Sequence, residues 1–225
     1  FRTNTFYRKP SVIGKIGCEG MELAAALPEI SNGMAFLLGP YSFSRLVEDC
    51  FYADAGRLAL DYAAALAKSL PALKANGYEC LLLLEPAVGH DLSRREFERP
   101  EWIGESISRL KAAGVALGIH FPLADAKAAV QAFEGTAADF FGIDCVYSEP
   151  DGISTGKRLL LGVVDGARAR IESAQEIAAR ADAFIGRAGF SGGYYLGCND
   201  RLFDVPFKIA LEKIKALSDF GGRQA

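Results

Sequence analysis

Short apolar runs alternate along the chain with longer segments of helical period, and this alternation constrains the fold more than any other feature. Each run is apolar at successive positions rather than at every second one, which is typical of parallel strands covered on both faces. The runs span 11–16, 34–38, 80–84, 115–119, 140–143, 159–164 and 194–196. The main helical segments are 43–75, 101–113, 124–133, 171–185 and 206–217.

Strand–helix alternation predicts βα units with right-handed crossovers, in either a doubly wound sheet or a (β/α)8 barrel. No G-x-G-x-x-G motif follows a predicted strand, which argues against a dinucleotide-binding sheet. No linker or low-complexity tract divides the chain, so we predict one domain over residues 1–225. The runs give seven strands where a barrel has eight, and the chain begins at Phe1, so we expect an N-terminally incomplete barrel.

Composition narrows the class of partner. The 225 residues carry a formal net charge of −3 without a basic cluster, which argues against nucleic acid as a partner. No apolar run approaches the length of a bilayer span, so we expect no membrane insertion. The five cysteines are odd in number and form no C-x-x-C pair, which indicates reduced thiols in a cytoplasmic protein.

Polar residues follow the apolar runs, where a barrel of parallel strands places its functional groups. They are Tyr41, Ser42, Glu85, His120, Asp144, Asp165 and Cys198. The types of His120, Asp144 and Cys198 suit zinc. Other interpretations stay open, because His120 also suits a satisfied buried histidine, Cys198 a small buried hydrophobe and Glu85 a carboxylate bonded to backbone amides. His90 lies in a predicted polar loop, GHDLSRRE at 89–96, and we expect it to face solvent.

The order of motifs resembles the C-terminal catalytic barrel of cobalamin-independent methionine synthase and its shorter single-barrel relatives. The matching segments are KPSVIGKI at 9–16, LGPYS at 38–42, LEPAV at 84–88, HFP at 120–122, LGVVD at 161–165 and YLGC at 195–198. The resemblance implies a (β/α)8 barrel of the methionine synthase and uroporphyrinogen decarboxylase-like type. The family's first strand has no counterpart here, so we expect the missing strand upstream of Phe1 in a longer protein.

The resemblance also implies a zinc-dependent methyltransferase that holds a thiol such as homocysteine as a metal-bound thiolate. The methyl donor would be a folate or a corrinoid protein. Carried over by position, the metal ligands are His120, Asp144 and Cys198. The catalytic residues are Glu85 and Asp165, and the substrate-binding residues are Tyr41, Ser42 and Glu85.

Two positions depart from the family pattern. Pro122 replaces a cysteine ligand of zinc, and Leu84 replaces an aspartate that helps to hold the amino group of homocysteine. These departures favour two alternatives beside the zinc methyltransferase. One is a related barrel with another substrate, either a different thiol alkyl transfer or metal-free decarboxylase-like chemistry. The other is a barrel that binds a partner or ligand without catalysis.

Overall fold

The computed structural model describes residues 9–18, 28–190 and 193–221. The strands are β1 Ser11–Val12, β2 Gly33–Leu38, β3 Glu48–Asp49, β4 Tyr78–Leu84, β5 Ala116–His120, β6 Phe140–Asp144, β7 Ser154–Thr155, β8 Arg158–Val164, β9 Gly189–Phe190 and β10 Tyr194–Cys198. The helices are α1 Pro40–Leu46, α2 Ala55–Ala75, α3 Pro86–Ser93, α4 Trp102–Lys111, α5 Ala126–Phe133, α6 Ala174–Arg187 and α7 Phe207–Gly221. The one-domain prediction includes residues outside these ranges and stays a prediction.

Six strands form a curled parallel sheet with the order β10-β8-β6-β5-β4-β2. Sequential strands of this sheet are neighbours, as successive βα units of a barrel would place them. Within the described residues the sheet ends at β2 on one side and at β10 on the other. The chain is therefore an α/β protein with a half-barrel, and the described residues do not close it into the predicted eight-stranded barrel.

The two faces of the sheet carry different sets of apolar side chains. Leu81, Leu83 and Ile119 belong to the main core, which they share with buried helix residues such as Leu66 and Ile107. The opposite face, which we call the inner face, carries a smaller cluster of Leu82, Phe140 and Leu160 with Met34 and Cys80 against it. Both faces carry buried apolar residues, which explains why the strands read as continuous apolar runs.

The first predicted strand, 11–16, is wrong as a strand of the barrel. Only Ser11–Val12 is extended and paired, and it pairs with β3 outside the six-stranded sheet. Ile13 is 83% exposed, so this run does not bury both of its faces. The chain thus contributes six of the seven predicted strands to the main sheet.

The predicted helical segment 43–75 is interrupted. Helix α1 ends at Leu46 and α2 begins only at Ala55. Between them the Asp49 carboxylate accepts hydrogen bonds from the backbone N–H groups of Phe51 and Tyr52, at 3.0 and 2.7 Å, which holds a turn in place of a helix. Asp54 then caps α2 by accepting a hydrogen bond from the backbone N–H of Arg57.

None of the described helices combines the length and the hydropathy that a membrane crossing needs. The segment around His90 forms helix α3, so the expectation of a polar loop there is wrong. Pro86 starts this helix at its first position, where the missing backbone N–H costs nothing.

Candidate functional site

The carboxyl ends of β5, β6 and β10 bring three buried polar residues together. His120 and Asp144 are the last residues of β5 and β6, and Asn199 directly follows β10. The Asn199 carbonyl oxygen lies 2.7 Å from His120 Nε2, and Asn199 Nδ2 donates to Asp144 Oδ2 at 3.1 Å. Asn199 therefore links the two side chains that the sequence predicted as metal ligands.

His120 presents one free nitrogen. A backbone carbonyl can only accept a hydrogen bond, so Nε2 carries the proton that is shared with Asn199. The ring is only 3% exposed, and Nδ1 has no hydrogen-bond partner among the described residues. Burial lowers the pKa of His120 and favours the neutral ring, in which Nδ1 is an acceptor.

The backbone of Gly142 lies directly beside this nitrogen. A Cβ atom at position 142 would lie 2.4 Å from His120 Nδ1, which is closer than real Cβ contacts. Any side chain there would push against the imidazole, so the ring orientation requires glycine on the neighbouring strand β6.

Asp144 is fully engaged by the protein. Its Oδ1 accepts hydrogen bonds from the backbone N–H groups of Val146 and Tyr147, at 2.8 and 3.0 Å, and its Oδ2 accepts from Asn199. Burial raises the pKa of Asp144, and these three donors oppose that rise. Asp144 thus fixes the loop after β6 and the position of Asn199.

Two adjoining cavities open at this end of the sheet. The small cavity, of about 390 Å³, includes His120, Leu82 and Leu160 in its wall. The large cavity, of about 700 Å³, includes His90 and Pro122. Both share four wall residues, which are Phe36, Leu84, Asp200 and Arg201. Volumes of this size suit small organic ligands.

Cys198 borders the small cavity, but like Tyr194 and Leu196 it is partly buried and packs against the main core. Burial raises the pKa of its thiol to about 11, while the nearby Lys213 ammonium opposes the rise. His120 and Asp144 end their strands on the side that includes Gly118 and Phe140, whereas Cys198 belongs with the helix-covered face. The three predicted zinc ligands therefore do not converge on one point.

The residues present do not fit a zinc ion in this arrangement. Among the residues that the structure describes, no group of three or more His, Cys, Asp and Glu side chains is placed to hold a metal. Asp144 already accepts three hydrogen bonds, and Pro122 offers no ligand atom. Zinc stays a prediction from the resemblance.

Glu85 lies away from both cavities. It is 1% exposed, and its carboxylate accepts hydrogen bonds from the backbone N–H groups of Tyr41 and Ser42, at 3.1 and 2.6 Å. These N–H groups open helix α1, which has no side-chain cap of its own. Burial raises the pKa of Glu85 to about 7, against the effect of these hydrogen bonds. The geometry matches the alternative in which Glu85 bonds to backbone amides.

Tyr41 and Ser42 are also buried, and neither lines a cavity. The Tyr41 hydroxyl donates to Asp91 at 2.6 Å, and the Ser42 hydroxyl accepts from the backbone N–H of Ala87 at 3.0 Å. Together with Glu85 they join α1 to the start of α3. Their predicted substrate-binding roles stay predictions, since their hydrogen-bonding groups face the protein.

Asp165 follows β8 as predicted but belongs to a separate cluster. Its Oδ2 accepts from the Tyr147 hydroxyl at 2.7 Å, and its Oδ1 accepts from the backbone N–H of Ala167 at 2.9 Å. It lines neither cavity. Its predicted catalytic role stays a prediction.

Three residues at the site had no predicted role, namely Asn199, Asp200 and Arg201. All of them follow the last apolar run, which is the signal that could have found them. Asn199 is fully buried, and besides its two links its Oδ1 accepts from the backbone N–H of Gly166 at 2.8 Å. Sequence alone does not distinguish such a central residue from an ordinary loop asparagine.

Comparison with solved structures establishes the class of fold. The chain shares its fold with a B12-independent methionine synthase from Shewanella sp. W3-18-1 in complex with selenomethionine, with a TM-score of 0.67, 17% identity and coverage of 84% of this chain and 61% of that one. A protein from Listeria monocytogenes described as a vitamin-B12-independent methionine synthase gives a TM-score of 0.67 at 14% identity, over 96% of this chain and 73% of that one.

These similarities confirm the predicted resemblance at the level of the fold. The chain spans 61% of the length of the Shewanella protein and 73% of the Listeria protein. No protein-family model matches the chain. No curated protein matches it either. The identities are too low to carry an activity from those structures to this chain.

Proposed function

We propose that the chain is a methyltransferase barrel that methylates a small-molecule thiol, with homocysteine as the first candidate. One observation carries this proposal, which is the mainly apolar small cavity with the buried His120 ring in its wall, whose Nδ1 has no hydrogen-bond partner among the described residues. A buried acceptor without a donor is costly, and a ligand that donates a hydrogen bond removes that cost. The fold shared with methionine synthase structures supports methyl transfer as the chemistry.

The small cavity suits the body of the thiol substrate. Leu82, Leu84 and Leu160 offer apolar contacts to an alkyl chain, and the His120 ring would offer a polar contact to an amino, hydroxyl or thiol group. The Arg201 guanidinium, which lines both cavities, offers a partner for a carboxylate. The sulfur would then point toward the wall that the two cavities share.

The large cavity would receive the methyl donor. Its volume of about 700 Å³ lies in the range of sites for free organic molecules. This favours a folate as donor over a corrinoid protein. An assay that supplies each donor in turn separates them.

A second substrate class is favoured by Leu84. Its side chain lines both cavities at the position where the family carries the aspartate that helps to hold the amino group. A thiol without an amino group therefore suits the small cavity, and alkyl transfer to such a thiol is the alternative function. Comparing homocysteine with an alkyl thiol of equal length decides between them.

The test is calorimetric titration with thiols, followed by a methyl-transfer assay with methyltetrahydrofolate. We expect saturable thiol binding that weakens about tenfold or more in His120→Ala, because a charge-assisted or buried hydrogen bond is lost. Gly142→Ala should weaken binding as well, since the new Cβ presses on Nδ1. The matched control is Gly186→Ala, where a Cβ on α6 meets nothing within 4 Å.

The outcomes are distinct. Absence of binding by every thiol, with the protein folded, would overturn the proposal. Equal thiol affinity in Gly142→Ala and the parent chain would show that His120 Nδ1 takes no part in thiol binding. Binding without methyl transfer from either donor would favour a barrel that binds its ligand without catalysis.

A further inference from the structure

His90 and Asp91 form a hydrogen-bonded pair at the large cavity, outside the group around His120. His90 Nδ1 lies 2.9 Å from Asp91 Oδ1. Since a carboxylate only accepts, Nδ1 carries the proton and Nε2 is the nitrogen left for a ligand. The His90 side chain is 66% exposed and lines the large cavity, so Nε2 is accessible from it.

The partner of His90 is held firmly. Asp91 is 2% exposed, and its other oxygen, Oδ2, accepts from the Tyr41 hydroxyl at 2.6 Å and from Arg45 Nε at 3.0 Å. Oδ1 is thereby left to orient the imidazole. Burial works to raise the pKa of Asp91, but the hydrogen bonds from Tyr41, His90 and Arg45 outweigh it and hold the pKa below its ordinary value. The carboxylate stays charged at neutral pH.

Other charged groups lie near the pair, among them Glu96, which acts on Arg45. Arg45 contacts Asp91 from α1, and Asp200 and Arg201 line the same cavity from the segment after β10. The last two lie 3.8 Å apart, measured from Arg201 Nε to Asp200 Oδ1. Asp91 is the charged side chain in direct contact with the His90 ring.

Methyl transfer to a thiol requires a thiolate, because the thiol itself is a poor nucleophile. The predicted zinc ligands do not converge, so a side-chain base is needed to take the proton. His120 is a poor candidate, since its burial disfavours an imidazolium. His90 is accessible, carries a free Nε2 and has a carboxylate behind it.

We propose that His90, oriented by Asp91, is the general base that deprotonates the thiol of the small cavity, whose sulfur points toward the wall that this cavity shares with the large one. The S–H bond breaks, its electron pair stays on sulfur, and the proton moves to His90 Nε2. The imidazolium is balanced by Asp91 and later releases its proton to solvent through the exposed edge of the ring. The proposal rests on the function proposed above and names the base of that same site.

The experiment measures binding and proton transfer separately in the whole chain, with a metal chelator present throughout. Thiol binding is followed by calorimetry, and thiolate formation by the ultraviolet absorbance of the bound thiol against pH. The variants are His90→Gln and Asp91→Asn, and the control is Asp182→Asn, an exposed carboxylate on α6. Circular dichroism checks that each variant is folded.

We expect the thiolate fraction at pH 7 to be about tenfold higher in the bound than in the free thiol, as a shift of one pKa unit requires. His90→Gln should abolish this rise and keep thiol affinity within about threefold, since the base adds little to ground-state binding. Asp91→Asn should reduce the rise in thiolate fraction, and Asp182→Asn should leave that rise unchanged.

Two results would overturn the inference while leaving the proposed function standing. One is a bound thiol that is deprotonated equally in His90→Gln and the parent chain. The other is a thiolate that forms only when the chelator is omitted, which would assign deprotonation to a metal. Failure of all thiols to bind would instead reject the proposed function itself.

Discussion

The Asn199 carbonyl oxygen accepts a hydrogen bond from His120 Nε2 at 2.7 Å, and this contact fixes the imidazole in one tautomer. The residue is the first after β10, whereas His120 ends β5, so the bond spans the curled sheet. The same asparagine holds Asp144 and the loop at Gly166. Asn199 thereby connects three places at the carboxyl ends of the strands, His120 through its backbone carbonyl and Asp144 and Gly166 through its side chain.

Replacing Asn199 by alanine should destabilise the protein strongly. Its side chain donates to Asp144 and accepts from Gly166, and both partners would lose a buried hydrogen bond. We expect the free energy of unfolding to fall by about 2–4 kcal/mol, from urea denaturation. A loss below about 0.5 kcal/mol would mean that water replaces the amide without cost.

Glu85 makes stability depend on pH. Its pKa is raised to about 7 in the folded chain, against about 4.5 when unfolded, so the folded state binds the proton more tightly. The contribution of Glu85 to stability should therefore decrease as pH rises from about 4.5 to about 7. The shift corresponds to at most about 3 kcal/mol.

The Glu85→Gln variant isolates this effect. Glutamine does not titrate, so the variant should not show the fall in unfolding free energy that Glu85 causes. The parent chain should therefore lose stability relative to the variant as pH rises from about 4.5 to about 7. Urea denaturation of both proteins at pH 5 and pH 8 measures the difference. A parent chain that gains relative stability toward pH 8 would show that the backbone N–H groups of Tyr41 and Ser42 dominate over burial.

The fully buried Lys213 ammonium pairs with Glu172 at 2.8 Å and also donates to the Arg170 carbonyl. Changing Lys213 to methionine leaves the Glu172 carboxylate buried and unpaired, and should cost about 3–5 kcal/mol of unfolding free energy. The double variant with Glu172→Gln should recover part of that loss. An equal loss in single and double variants would assign the effect to packing alone.

The cysteines should differ in how fast their thiols are alkylated. Cys50 is exposed, whereas burial raises the pKa of Cys198 to about 11 and that of Cys145 further. At pH 8 we expect iodoacetamide to modify Cys50 first and Cys198 at least about tenfold more slowly, because the thiolate is the reactive form. Peptide mass spectrometry over time measures both rates.

Metal analysis of the same protein tests the zinc prediction. Because His120, Asp144 and Cys198 do not converge, we expect less than one zinc ion to remain per chain after zinc loading and dialysis against a weak chelator. One retained zinc that is lost in both His120→Ala and Cys198→Ala would instead establish the predicted ligands.

The sheet was predictable because its strands are buried on both sides and bear apolar runs. Six predicted runs became neighbouring parallel strands in chain order. The run at 11–16 misled because β-branched residues there lie on an exposed segment, and sequence does not report exposure. The break between α1 and α2 was missed because the helical period continues through it, while Asp49 forms a local turn.

The site was only partly predictable. His120 and Asp144 lie at the ends of their strands, as the barrel argument required. Cys198 lies on the same face of β10 as Tyr194 and Leu196, against the main core, and a short run that is apolar at successive positions does not tell which face a given residue joins. The pairing of His90 with a buried Asp91 depends on Tyr41 and Arg45 from another helix, and such long-range contacts are invisible in sequence.

The chain contains only two histidines, and each cavity has one of them in its wall. Their rings differ sharply in access to solvent, so a dissolved paramagnetic agent should broaden the proton resonances of His90 and spare those of His120. The protein thus carries one natural spectroscopic reporter for each cavity. Occupancy of either cavity can be followed by NMR without labels or added probes.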